Sequence, residues 1–241
     1  MTSTGIAMDD QADATTAETQ RSLAETAYAE LRTRILGSQL LPGTPLSIPA
    51  LARMMRISRS PVREAVQRLI HDGLATHVPN RGAEVTVLRI AELREIYQVK
   101  EPLATLASRL AAPRLSQEDA ATLLQMVERQ EQTLALEASP ATMMSLDIEF
   151  HRFIALRSGN ATLVAALDQF TDRTNLAFPS AWGNPEYARY SVDEHRAIAE
   201  NLHRGDAEGA ERATRSHVRN IVVRLERHHR SQRQAPSGTR P

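Results

Sequence analysis

Between Arg21 and Val87 the spacing of apolar residues changes from a helical period to an alternating one, which restricts the fold more than any other feature of the chain. Leu23, Ala27, Leu31 and Ile35 share one face of a helix over residues 21–38, and Leu41-Pro42-Gly43-Thr44-Pro45 breaks it. Ser47 is placed to cap a short second helix, residues 48–55. A tight link through Ile57-Ser58 leads to a third helix, with Ser58 or Ser60 as its cap and Pro61 in its first turn. Val62, Ala65, Val66, Leu69 and Ile70 form its apolar stripe, and Asp72-Gly73 ends it. Two β-prone runs, Ala75–Val78 and Ala83–Val87, then flank Pro79-Asn80-Arg81-Gly82 and predict a hairpin. Three helices followed by a hairpin is the order of a winged helix-turn-helix.

From Ile90 onward every segment carries a helical period: about 90–111, 116–138, 141–157, 160–177, 187–204 and 207–228. Pro113, Pro140, Gly159-Asn160, Pro179 to Pro185 and Gly205-Asp206 supply the stops. Helices of this length on short links predict an antiparallel bundle. The expected fold class is mainly α: an N-terminal winged helix-turn-helix, then an antiparallel all-α bundle of six to seven helices. Residues 1–20, small, polar and acidic, are expected to form a disordered arm, and residues 229–241 a tail. The two domains between them are placed at 21–88 and 89–228.

The formal net charge is zero, so the whole chain does not announce a polyanionic partner. Its distribution is uneven: from Arg21 to Leu88 nine arginines face five acids, while the first twenty residues hold acids only. A basic segment joined to an acidic one fits contact with nucleic acid by one part alone. The absence of cysteine excludes disulfide scaffolds and cysteine-ligated zinc. No apolar run approaches the roughly 20 residues that span a bilayer. Asp9, Asp10 and Asp13 stand where a signal peptide needs a basic start, so a cytoplasmic protein without membrane contact is expected. Nearly every basic residue is arginine; Lys100 is the single lysine.

Ala27-Tyr28-Ala29-Glu30-Leu31-Arg32, Ile35-Leu36-Gly37, Leu41-Pro42-Gly43 and Ser58-Arg59-Ser60-Pro61-Val62-Arg63-Glu64-Ala65-Val66 resemble the N-terminal domain of GntR-family regulators. Gly73-Leu74 and Arg81-Gly82-Ala83 continue the pattern. The resemblance implies a DNA-binding transcription regulator. Elementary physics points the same way. Arg59 and Arg63, four apart at the start of the third helix, project from the end that enters the major groove in helix-turn-helix proteins. An arginine fork takes guanine O6 and N7 or clamps a phosphate. Ser60 and the free N–H groups of the helix start suit phosphate, and Arg81-Gly82 suits the tip of a wing. Members of this family often carry arginine in the second helix where Pro49 stands here; Arg53, one turn later, is a partial substitute.

Residues 90–228 are similar to the FCD domain of the family's FadR branch, and the similarity sharpens at Asp147, His151, His195 and His217. The resemblance implies a divalent metal held by an Asp-x-x-x-His pair and two later histidines. The spacing agrees: Asp147 and His151 stack on one helix face, which Met143, Met144 and Ile154 mark as inward. His195 and His217 lie on apolar stripes on either side of Gly205-Asp206, each about 16 Å from that turn at 1.5 Å per residue, so they stand level in a helical hairpin. Three imidazoles and a carboxylate suit Zn, Ni, Co, Mn or Fe with coordination positions left open. Lys100 falls on the stripe Leu93, Ile96/Tyr97, Lys100, Leu103, Ala107, where relatives frequently direct an arginine at the carboxylate of an organic acid. Arg173 is a second candidate for that pocket.

The expected protein is a homodimeric regulator, most simply a repressor. Its affinity for double-stranded operator DNA would respond to a small carboxylate or hydroxy-acid effector at the metal site. Two rivals share the same ligands: a metal-dependent helical-bundle enzyme, and a regulator whose metal is purely structural. Against the enzyme, no glutamate is marked as a general base and no Glu/Glu-x-x-His set for two metals is present.

Overall fold

The computed structural model describes residues 6–176 and 184–234, with side chains over 20–176 and 184–230. The chain divides into two compact units, Met1–Val87 and Leu88–Pro241, each with its own core. The architecture is mainly α: three helices and a hairpin in the first unit, six helices and a short 3₁₀ turn among the described residues of the second.

In the first unit, α1 (Ile6–Leu36) buries Ala27, Leu31 and Ile35 against α3 (Arg59–His71), which contributes Val62, Ala65, Val66 and Leu69. The helical backbone of α1 begins at Ile6, so it runs through most of the stretch expected as an arm. That stretch lacks an apolar stripe but carries Ala7, Ala12, Ala14 and Ala17, and alanine is the strongest helix former. Between these helices lies α2 (Ile48–Met55), which starts at Ser47 with Pro49 in its first turn. The Ser47 side chain makes no capping bond. The link to α3 turns on Arg56, whose φ of 58° sends the chain round in three residues. Beyond Gly73 the hairpin forms from β1 (Ala75–Val78) and β2 (Gly82–Val85), antiparallel with Ala75 opposite Val85 and Val78 opposite Gly82.

The Pro-Gly stretch read only as a helix breaker has a second role. Gly43 N–H donates to the Val85 carbonyl (2.8 Å), Val85 N–H to Thr44 (2.9 Å) and Leu46 N–H to Ala83 (2.7 Å), with Pro45 bridged to Glu84. The segment therefore lies along the free edge of β2. Proline lacks an amide to give, which fits it to an edge rather than a central strand.

The second unit is built from α4 (Ile90–Ala111), α5 (Gln117–Ala135), α6 (Pro140–Arg157), α7 (Ala161–Asn175), α8 (Pro185–His203) and α9 (Ala207–Gln234). Their starts are chemically marked. Ser116 accepts from Asp119 N–H, Ser139 from Thr142 N–H, Asn160 from Leu163 N–H, and Asn184 from Glu186 and Tyr187 N–H. Each side chain satisfies a donor that the helix leaves open. The α8–α9 turn uses Gly205 at φ 68°, and Asp206 opens α9 by accepting from Gly209 N–H. Helix α9 packs on α4 and α8, and α5 packs on α8. Their shared core includes Leu93, Leu123, Val127, Phe150, Ile198 and Leu202. Helix α9 runs to Gln234, past His229, where a tail was expected. The residues beyond 234, the first five, and most of the stop between Pro179 and Pro185 lie outside the described residues.

Candidate functional site

Three helix faces deliver the site of the second unit. Asp147 and His151 come from successive turns of α6, His195 from α8 and His217 from α9. One ligating atom from each lies within 4.8 Å of all the others. His151 Nε2 is 3.1 Å from His217 Nε2 and 3.5 Å from Asp147 Oδ1, and His195 Nε2 is 3.3 Å from the same oxygen. His195 and His217 are buried; Asp147 and His151 are partly open. Phe150 lies nearly flat on the His195 ring, 4.6 Å between centroids and 26° between planes.

The back of each buried ring is held by a group that periodicity did not single out. His195 Nδ1 lies 2.7 Å from Gln130 Oε1, and Gln130 Nε2 donates to the Leu146 carbonyl at 3.1 Å. That donation fixes which end of the amide faces the ring, so His195 gives its proton from Nδ1 and keeps a lone pair on Nε2. His217 Nδ1 likewise donates to Glu194 Oε2 at 2.7 Å, leaving a lone pair on its Nε2. A bond to the far nitrogen of this kind sets tautomer and ring direction for a metal-ligating histidine.

The electrostatics follow from crowding. Burial alone pushes the Asp147 carboxyl up, but the His151 imidazole beside it works against that, and the carboxyl is held well below the usual range. Burial drives His217 down to about 3, against the pull of Glu194. His195 is lowered by burial as well, opposed by Asp147. Both imidazoles are thus neutral at ordinary pH, the state that donates a lone pair to a cation. His195 Nε2 is buried without a hydrogen-bond partner, facing a carboxylate oxygen that also offers only lone pairs. Two such acceptors at 3.3 Å repel unless a cation lies near both. The donor set, three imidazole nitrogens and one carboxylate, can hold a first-row divalent metal.

Beside the cluster is a cavity of about 60 Å³, lined by Asp147, His151 and His217 on one wall and by Tyr97, Lys100 and Asn175 on another. At roughly 10–15 Å³ per water it has room for about four to six waters, the size of a compact organic acid. Lys100 Nζ donates to Thr174 Oγ1 at 3.2 Å and is 5.7 Å from the centre of the Tyr97 ring. Burial lowers its pKa to about 8, with Asp147 and Asp172 pulling the other way. Tyr97 Oη and Asn175 Nδ2 are buried without hydrogen-bond partners. Arg173 does not line this cavity; its Nε is buried and unpartnered, and its charge acts on Glu92.

In the first unit, Arg59 opens α3, Ser60 follows it, and Arg63 stands one turn on; both arginines are exposed. No acid occupies the first turn of α3, and the side chain of its cap, Ser58, makes no capping bond, so the N–H groups at this end stay available. Arg53 is exposed in the last turn of α2. Arg81 and Gly82 are exposed at the hairpin turn, where Asn80 and Gly82 take φ of 63° and 89°. Unlike Arg157, Arg196, Arg219 and Arg224 of the second unit, which fork onto carboxylates, none of these four arginines pairs with an acid among the described residues.

A three-helix head with a wing, joined to a helical unit that encloses an imidazole–carboxylate cluster, defines a DNA-binding transcriptional regulator. The particular family is given by the matches over both units. Residues 23–85 match the bacterial regulatory proteins of the gntR family and residues 95–220 match the FCD domain, and the chain belongs to the GntR family of regulators with an FCD C-terminal domain. It is 26% identical over 190 residues to the HTH-type transcriptional regulator YdhC of Bacillus subtilis (strain 168), covering 79% of this chain and 85% of that one. To the Nta operon transcriptional regulator of Aminobacter aminovorans it is 30% identical over 161 residues, 67% of this chain and 74% of that one. The solved structure of E. coli McbR/YncC shares the fold with a TM-score of 0.75 at 22% identity, covering 86% and 98% of the two chains. The two sequence relatives are transcriptional regulators, and the reading as a metal-dependent helical-bundle enzyme gives way to them. No described helix is long and apolar enough to cross a membrane.

Proposed function

We propose that the protein is a metal-dependent, ligand-responsive repressor that binds operator DNA as a homodimer. The observation that carries the metal-dependent part is the buried, unpartnered Nε2 of His195, turned by Gln130 toward Asp147. Asp147, His151, His195 and His217 would hold the ion, which supplies open positions for ligand oxygen atoms. Across the cavity Lys100 offers a cation, and Tyr97 and Asn175 offer donors that lack partners. Polar groups left this way favour a ligand whose oxygens complete them, and a small carboxylate or hydroxy acid has that chemistry. Lysine presents a point charge rather than the fork of arginine, so it favours one oxygen over a bidentate grip.

In the head, Arg59 and Arg63 would reach base edges or phosphates, with Ser60 and the α3 N–H groups on the backbone and Arg81-Gly82 and Arg53 alongside. Two heads in a dimer would read half-sites about one DNA turn apart. An effector weakens the complex only by preferring the arrangement in which the heads are misplaced, and DNA then weakens the effector equally.

The test has two arms. Replacing His217→Ala should leave purified protein without bound metal, read by elemental analysis, and full retention would refute the site. Mobility-shift titrations with promoter fragments across a set of small carboxylic acids should find one that releases DNA from wild type. The same acid should act at least tenfold more weakly on Lys100→Ala, which still holds its metal; an unaltered response would remove Lys100 from the effector site.

A further inference from the structure

We infer that Glu194, clamped by Arg224, is a positioning residue that sets how tightly the four-residue centre holds its ion; the inference rests on the metal reading above. The two buried imidazoles are backed by different chemistry. Behind His195 stands the neutral amide of Gln130, and behind His217 the carboxylate of Glu194, each 2.7 Å from Nδ1. A carboxylate drawing on the Nδ1 proton makes the far nitrogen a stronger electron-pair donor than an amide does. The two rings are therefore unequal ligands, and His217 is the more strongly activated.

Left alone, a carboxylate so near the cluster has two other options. It could rotate and ligate the ion itself, or take a proton and cease to accept from His217. Arg224 closes both routes. Its Nη1 donates to Oε1 and its Nη2 to Oε2, each at 2.8 Å, and Nη2 reaches Ser191 Oγ at 3.2 Å. Asn220 Nδ2 adds a third bond to Oε1 at 2.8 Å. Both oxygens are thus occupied by donors, and the guanidinium is itself buried. Ser191 and Glu194 are three apart on α8; His217, Asn220 and Arg224 follow one face of α9. Two facing helix surfaces therefore fix Glu194 in register, and through it the direction of one ligand.

Full-length protein stripped by a chelator would be compared as wild type, Glu194→Gln and Glu194→Asp. Zinc affinity would be read by competition with a chromophoric chelator, the ligand set by the visible spectrum of the cobalt(II) form, and folding by melting of the metal-free protein. Glutamine keeps the shape and loses the charge; aspartate keeps the charge for Arg224 but falls a methylene short of His217. Both variants should melt as folded proteins, keep the cobalt spectrum and bind zinc about 10–100-fold more weakly. Zinc affinity within twofold of wild type in a folded variant would overturn the positioning role, and a changed cobalt spectrum would overturn it in favour of direct ligation. Should Glu194→Gln fail to fold, Glu194→Asp decides alone. Wild-type protein that binds neither zinc nor cobalt would dismiss the metal reading itself, and the inference with it.

Discussion

At the scale of single residues, the molecule separates arginines that hold the fold together from arginines that are free to act elsewhere. Arg224 is buried in a fork, whereas Arg59 and Arg63 stand in water at the bare end of α3. Replacing Arg63→Ala should lower operator affinity by about 1–3 kcal/mol, roughly five- to 150-fold, if it reads a base. A phosphate contact would instead lower the salt dependence of binding by about one charge. Fluorescence anisotropy at several salt concentrations separates these outcomes, and unchanged affinity in a folded variant would reject the contact. The buried centre makes a different prediction. In metal-free protein His217 titrates at about 3 rather than 6.5, and Glu194 at about 2 rather than 4.5. The unfolded chain therefore takes up protons first: the His217 contribution is lost as pH falls from about 6.5 toward 3, and that of Glu194 as it falls from about 4.5 toward 2. Both have the same sign, so metal-free protein should melt at progressively lower temperature below pH 6.5. A melting temperature that is flat from pH 7.5 to 5 would contradict this assignment.

Secondary-structure elements show what the sequence could and could not disclose. Stripes such as Ala27/Leu31/Ile35 and stops such as Gly205-Asp206 act locally, so helices and hairpin could be read from spacing. So could the four clustered ligands, because each lies on its helix's apolar stripe. Their supports were harder to see. Gln130 continues the stripe Leu123/Val127, and Arg224 continues His217/Ile221; a polar group at a core position was the available signal. Its meaning depends on which helix packs opposite, and local spacing carries no such information. The pairing of residues 43–46 with β2 was hidden for the same reason. The hairpin offers a test at this scale. A Cβ on Gly82 would meet nothing within 4 Å, so its φ of 89° is the constraint and not space. Gly82→Ala should cost about 1–2 kcal/mol of head stability through the left-handed backbone. If the wing touches DNA, affinity should fall by more than that stability loss explains, as compared by thermal melting and anisotropy.

The whole molecule is two cores on one chain, and among the described residues the imidazole–carboxylate cluster lies in the second. An ion bound solely by the folded helical unit raises that unit's stability by about 4 kcal/mol at a thousand times its dissociation constant. Calorimetry should accordingly resolve two transitions, with added zinc moving one and leaving the other in place. A single transition shifting as a whole would show that the units unfold together.

The placement of Lys100 has a practical outcome. Acylating reagents find no other ε-amine anywhere in the chain, and this one sits against Tyr97 and Thr174 in the lining of the cavity. Apart from the amino terminus, mass gained on exposure to such a reagent would then mark moments when that space stands open. The rate at which it accrues would clock the breathing of the helical unit, and an occupant should slow it.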